Sequence, residues 1–342
     1  MGVFLPPELI KNEIMSIFEK GLHIDPKYQH LEKYVHIMYR GFWTPAKYEK
    51  LIAEVDAPHF FNVMSPVDQE TIKRCILAVS IVEDKVKTSW SVLPLDLPQT
   101  IIGDVGGLFA QSEVTHRRSY HSLADVLNVD TNEIGKHEVL KDRIAYLAKY
   151  LENDSKIIGK KRILKKLVLF TSLVERCSLF TQFYILMSYA MHNRGLKTIS
   201  SLQESTAKEE LVHYNFGIDV INIIKQEFPQ LWDDYLTELV TKNIKMAYEA
   251  ELKLLDWFFE QGVPSHLTKE EVVNFLNYNF NIVCKDLELP LSFDVDEELY
   301  DEKNAWFKRK VFITTEPDFF DNAVGGYASD DEQIEIEDIQ WN

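Results

Sequence analysis

Glu113-Val-Thr-His116 and Glu210-Leu-Val-His213 repeat one pattern, a carboxylate followed three positions later by an imidazole. On an α-helix such residues project from one face a turn apart, so each pair can offer an oxygen and a nitrogen to the same space. The chemistry that suits them is metal ligation. A single pair is weak evidence, because Glu and His at this spacing also meet on solvated helix surfaces. Here the surroundings are apolar: Glu113 and His116 share a face with Phe109, Ala110 and Tyr120, and Glu210 and His213 precede Phe216 and Val220. Charged groups on apolar faces need partners.

Two more carboxylates complete a candidate set. Glu175 has Val168, Ser172, Leu179 and Phe183 on its side of a helix, where an unpaired ionised carboxylate would be severely destabilising. A dication would compensate it, and so would a buried salt bridge to Arg176 or another base. Glu83 and Asp84 compete for the fourth place. Periodicity favours Glu83, whose face carries Ile76, Val79, Val86 and Trp90, whereas Asp84 sides with Ser80, Lys87 and Thr88. The expected arrangement has two Glu-x-x-His helices plus one bridging carboxylate from each of two others, Glu83 and Glu175. Four carboxylates balance two divalent ions, with His116 and His213 as neutral ligands. Such oxygen-rich ligation without thiolates favours iron or manganese over structural zinc.

The elements that must hold these residues read as helices. Apolar residues recur at helical spacing near 7–20, 44–56, 67–91, 100–127, 136–152, 162–192, 201–227, 229–261 and 268–286. Breaks are expected at Pro94 and Pro98, at Asn193-Arg-Gly195 and at Gly262-Val-Pro264. Leu167 to Met191 is apolar enough to suggest a membrane span, but Glu175, Arg176 and Gln182 in its middle favour a central helix buried on all sides. The fold class is therefore all-α, a ferritin-like helical bundle with a dinuclear metal site in its four-helix core.

The 342 residues are 46% hydrophobic with a net charge of −17, which suits a large globular domain and argues against gripping nucleic acid or an anionic membrane. Cys75, Cys177 and Cys284 form no C-x-x-C pair, and the opening residues lack the continuous apolar core of an export signal. The expected location is cytoplasmic. From Asp330 the chain is acidic with sparse apolar residues, Ile334, Ile336, Ile339 and Trp341. That pattern fits either a solvated terminus or a peptide that docks on a partner.

Taken together, these residues resemble the radical-generating small subunit of class I ribonucleotide reductase, from about Trp43 to the tail. Glu113-Val-Thr-His116-Arg-Arg-Ser-Tyr120 resembles that family's Glu-x-x-His-x-x-x-Tyr block, which implies that Tyr120 is the residue oxidised to a stored radical. Phe42-Trp43-Thr-Pro45 is similar to the family's Trp-x-Pro segment, implying that Trp43 relays the oxidising equivalent. The resemblance makes Glu209, where the family commonly has Asp, the relay acid hydrogen-bonded to His116 and Trp43. Many relatives also have Asp where Glu83 stands. Leu179, Phe183 and Thr206 fall near positions that line the radical pocket in the family.

Pro317-Asp-Phe-Phe-Asp-Asn-Ala-Val-Gly-Gly-Tyr327 resembles the family's Asn-Phe-Phe-Glu block and the tail tyrosine after it, making Tyr327 the last redox stop. The resemblance divides the chain into a domain over 1–315 and a flexible tail over 316–342 that docks on the large, catalytic subunit. It implies a homodimer, dinuclear iron and/or manganese, and a role in reducing ribonucleotides to deoxyribonucleotides. A ligand-binding dimetal oxidase and a ferritin-type iron store are the competing functions.

Overall fold

The computed structural model describes residues 16–21 and 24–312, and of residues 84–88 only the backbone. Among them are no strands. The helices are α1 (Glu32–Arg40), α2 (Ala46–Leu51), α3 (Ala57–Asn62), α4 (Pro66–Asp96), α5 (Thr100–Val126), α6 (Glu138–Leu147), α7 (Gly159–Leu169), α8 (Phe180–Met191), α9 (Lys197–Glu227), α10 (Asp234–Phe258) and α11 (Lys269–Asp286). Local chemistry sets several starts. Ser65 accepts the Asp68 N–H ahead of Pro66 in α4, Asp233 accepts the Leu236 N–H at α10, and Thr268 accepts the Glu271 N–H at α11.

Long α4 and α5 are joined by Leu97-Pro-Gln99 alone, a connector short enough to leave them as antiparallel neighbours. Long α9 packs against α8 and against a π-helical stretch, Phe170–Cys177, that follows α7. α4, α5, the π-helical stretch and α9 make the core, with α1 lying against α5 and α9. Every residue of Phe180–Tyr189 is buried, as the central-helix reading expects. Among the described residues no helix is long and apolar enough to cross a membrane.

Residues 16–20, the described part of the expected 7–20 helix, form no helix, and the expected 44–56 helix turns π-helical over Ile52–Asp56. Three further departures bear on the core. α4 runs through Pro94 to Asp96 instead of breaking there. Proline lacks the N–H that would return to the carbonyl four residues back, which is that of Trp90. α5 crosses at that point: a Cβ on Gly106 would lie 2.7 Å from the Trp90 carbonyl oxygen. The second departure is α1, a nine-residue helix that was not expected. The third is the π-helical stretch inside the segment expected as one helix over 162–192. A π turn holds an extra residue and re-aims the side chains it carries, and such turns recur at functional sites.

Tertiary contacts secure that stretch at both ends. Arg143 of α6 donates to the Ser178 carbonyl just beyond it and pairs with buried Glu251 of α10 at 3.4 Å, and Tyr146 donates to the same carboxylate. On the other side a Cβ on Gly217 of α9 would fall 2.2 Å from Thr171 Oγ1. Gly217→Ala is therefore expected to cost ~1–3 kcal/mol of stability through overpacking. Urea unfolding measures it, and an unchanged midpoint would show that the crossing has room to spare.

Candidate metal centre

α4 contributes Glu83, α5 Glu113 and His116, the π-helical stretch Glu175, and α9 Glu210 and His213. All six are buried to within 1% of full burial. The distances divide them into two overlapping sets. His116 Nδ1 lies 2.9 Å from Glu210 Oε1, 3.6 Å from Glu113 Oε2 and 3.9 Å from Glu83 Oε2. His213 Nδ1 lies 3.0 Å from Glu113 Oε1, 3.3 Å from Glu210 Oε2 and 3.4 Å from Glu175 Oε2. Within Glu83, Glu113, His116 and Glu210, and again within Glu113, Glu175, Glu210 and His213, one ligand atom per residue falls inside a 4.8 Å sphere of the others.

This corrects the expected division of labour. Glu113 and Glu210 each turn one oxygen to either histidine and so belong to both sets, while Glu83 and Glu175 each serve one. The shared carboxylates come from the Glu-x-x-His pairs themselves. Arg176 does not pair with Glu175; its guanidinium lies 4.4 Å from the Phe180 ring centre and 4.5 Å from that of Phe312. The Asp84 side chain lies outside the described ones.

The cluster fits a pair of cations. Both oxygens of Glu83 and of Glu113, one each of Glu175 and Glu210, and Nδ1 of both histidines are buried without a hydrogen-bond partner. Carboxylate oxygens and imidazole nitrogens crowded together out of water need positive charge between them, from cations or from protons. A buried carboxylate and histidine cluster of this kind supports a dimetal site.

Protons carry the charge in the metal-free chain. Burial pushes Glu83 and Glu175 well above the usual carboxylate range. Burial alone would push both histidines down, but contacts with Glu113, Glu209 and Glu210 hold His116 well above its ordinary value, and Glu210, Glu113 and Glu175 do the same for His213. Burial also opposes ionisation of Glu210, yet His213 and His116 keep it well below the usual range. Nδ1 can bind a cation only through its lone pair, so loading must expel at least one proton per imidazole. Affinity for divalent ions is accordingly expected to rise with pH through the neutral range. Calorimetry in buffers of different ionisation enthalpy measures the release, and binding with no proton release would contradict this charge state.

The outer contacts orient the imidazoles. His116 Nε2 meets Glu209 Oε2 at 2.6 Å, and His213 Nε2 meets Ser112 Oγ at 3.0 Å. Trp43 stacks on His116, centroids 6.0 Å apart, and touches Tyr48 edge-on at 5.4 Å. Its indole Nε1 has no partner among the described residues, so the expected bond from Glu209 to Trp43 is absent while that to His116 is present. Tyr120 is fully buried and gives its one proton to Gln203 Oε1 at 2.5 Å. Leu179, Phe183 and Thr206 are buried as well. Tyr327 and the whole 316–342 segment lie outside the described residues.

Sequence reasoning missed Ser112, Gln203 and the bond from Trp90 Nε1 to Glu175 Oε1 at 3.1 Å. Only Trp90 left a trace, as a residue on the Glu83 face of α4.

Residues 23–303 match the family described as ribonucleotide reductase, small chain. A ribonucleoside-diphosphate reductase subunit beta from Chlamydia pneumoniae is 26% identical over 49% of this chain and 47% of its own length. The match thus spans about half of that curated relative. Among solved structures, the ribonucleotide reductase R2 subunit from Clostridium botulinum has a TM-score of 0.70 at 14% identity, covering 83% of this chain and 88% of its own. An R2-like ligand-binding oxidase with a Mn/Fe cofactor has a TM-score of 0.62 at 14% identity, covering 76% and 94%. The expected ferritin-like bundle is the fold observed.

Proposed function

We propose, from the premise that this chain belongs to the ribonucleotide reductase small-chain family, that it is the radical-generating subunit of a ribonucleoside-diphosphate reductase. The observation that carries the reading is the pair of overlapping ligand sets with unpartnered atoms turned toward one another. In this reading Glu83, His116, Glu113 and Glu210 would hold one ion, and Glu113, Glu175, Glu210 and His213 the other. The metals are iron, manganese or one of each, all compatible with this donor set. When bound, they supply the power to oxidise a phenol after meeting dioxygen or a related oxidant.

The chain's own residues do the rest. Glu209 and Ser112 hold the imidazoles with Nε2 outward and Nδ1 inward. Tyr120 sits fully buried, and shielding from bulk water would protect an oxidised phenol from reduction. Trp43, stacked on His116 and 6% exposed, with Glu209 beside the same ring, forms the way toward the surface. Tyr327 would take over on the tail, residues 316–342, which docks on the large subunit, while 1–315 form the metal-bearing domain of a cytoplasmic homodimer.

A second reading, a dimetal oxidase acting on a ligand in its own core, is favoured by one observation. A cavity of about 440 Å³ opens between α4, α6 and the π-helical stretch, lined by Val82 and Val174, the neighbours of Glu83 and Glu175. The two readings separate in one assay. Metal-loaded protein mixed with its large subunit should form deoxyribonucleotides, and removing residues 331–342 should abolish this at moderate subunit concentration while leaving the metal content intact. No product from the loaded full-length pair would turn the assignment toward the oxidase. Full activity of the truncated chain would remove the docking role from the tail.

A further inference from the structure

The two halves of the cluster differ in what stands behind them. On the His116 side, both oxygens of Glu83 are free to bind, and the imidazole is backed by a carboxylate, Glu209. An anionic acceptor makes the ring a stronger donor. On the His213 side, Trp90 Nε1–H occupies Glu175 Oε1 at 3.1 Å, so only Oε2 faces His213. The hydroxyl of Ser112 donates to the Phe109 carbonyl at 2.9 Å, so toward His213 Nε2 it is a neutral acceptor.

Trp90 is not free to yield. Its backbone is the point where α5 crosses at Gly106, and its ring packs against Phe109 at 5.1 Å, Phe170 at 5.2 Å and Phe216 at 5.9 Å. The indole is thus a fixed donor that clamps the Glu175 carboxylate in one orientation. Resting on the dimetal reading, we propose that the two ion positions are unequal. The His116 side fills first and more tightly, and Trp90 is a positioning residue for the ion on the His213 side alone. α4 then serves both positions, one through the ligand Glu83 and the other through an N–H aimed at a ligand.

Anaerobic titration of the full chain with Mn²⁺, followed by electron paramagnetic resonance, tests this. Native protein should show an isolated-ion signal over the first equivalent and a spin-coupled pair over the second. Trp90→Phe should weaken the second step about 10–100-fold, the usual cost of an outer-shell partner, and leave the first unchanged. Glu209→Gln should do the reverse. A merely structural role for Trp90 would weaken both steps together, and that result overturns the proposal, as does a second step that is unchanged or tighter. Ser112→Ala, which removes the other contact on the same side, should also weaken only the second step and keeps the test decisive if Trp90→Phe does not fold. Native protein that binds fewer than two ions would instead refute the dimetal reading itself.

Discussion

Glu210→Ala should leave the chain unable to hold either ion, whereas Glu175→Ala should leave it holding one. The asymmetry follows from geometry: Glu210 turns Oε1 to His116 and Oε2 to His213, while Glu175 reaches His213 only. An outer partner is typically worth about 10–100-fold in metal affinity, so loss of an inner carboxylate common to both positions should exceed that at each. Glu210 also compensates both raised imidazoles in the metal-free chain. Its removal takes one of several carboxylates away from the imidazoles, so a lower melting temperature is expected as well. Metal counting by mass spectrometry, with a thermal melt beside it, checks both effects. Two ions retained by Glu210→Ala would sink the shared-ligand arrangement, and Glu210→Gln supplies the comparison if the alanine variant is too unstable to isolate.

Tyr120→Phe should keep both metals and lose the tyrosyl radical, with reductase activity falling to the assay floor. The ring stays in its fully buried site, so packing is conserved, but Gln203 Oε1 loses its donor while Gln203 Nε2 already lacks a partner. The unmet amide costs about 1–3 kcal/mol, visible as a lower melting temperature. Electron paramagnetic resonance after ferrous loading and exposure to oxygen decides the matter. A doublet that survives the substitution would assign the radical elsewhere, and normal turnover without any tyrosyl signal would place the oxidising equivalent on the metals.

What the sequence disclosed and what it hid divide along chain distance. Glu-x-x-His is legible because one helical turn places both groups, whatever the rest of the fold does. Glu83 is legible because Ile76, Val79 and Trp90 share its side of α4, although the helix there is buried all round, Ser80 on the Asp84 side included. Which carboxylates are shared is not local: it depends on how α5 and α9 face each other. The π turn around Glu175 is likewise imposed from outside, by Arg143 on Ser178 and by Gly217 against Thr171. Trp90 reads as an apolar core residue until Glu175, far along the chain, supplies an acceptor for its N–H. Pro94 reads as a break because sequence alone does not reveal that Gly106 brings α5 against the carbonyl it frees.

The raised imidazoles and the ionised Glu210 between them bear on how this protein matures. A site whose charges are balanced by its own protons would let the bundle form ahead of its metal, unlike small zinc domains that fold only on binding. Loading is then an exchange of protons for cations in a finished scaffold. Because the donor set suits iron and manganese alike, the ions supplied at loading would then decide which pair the scaffold holds.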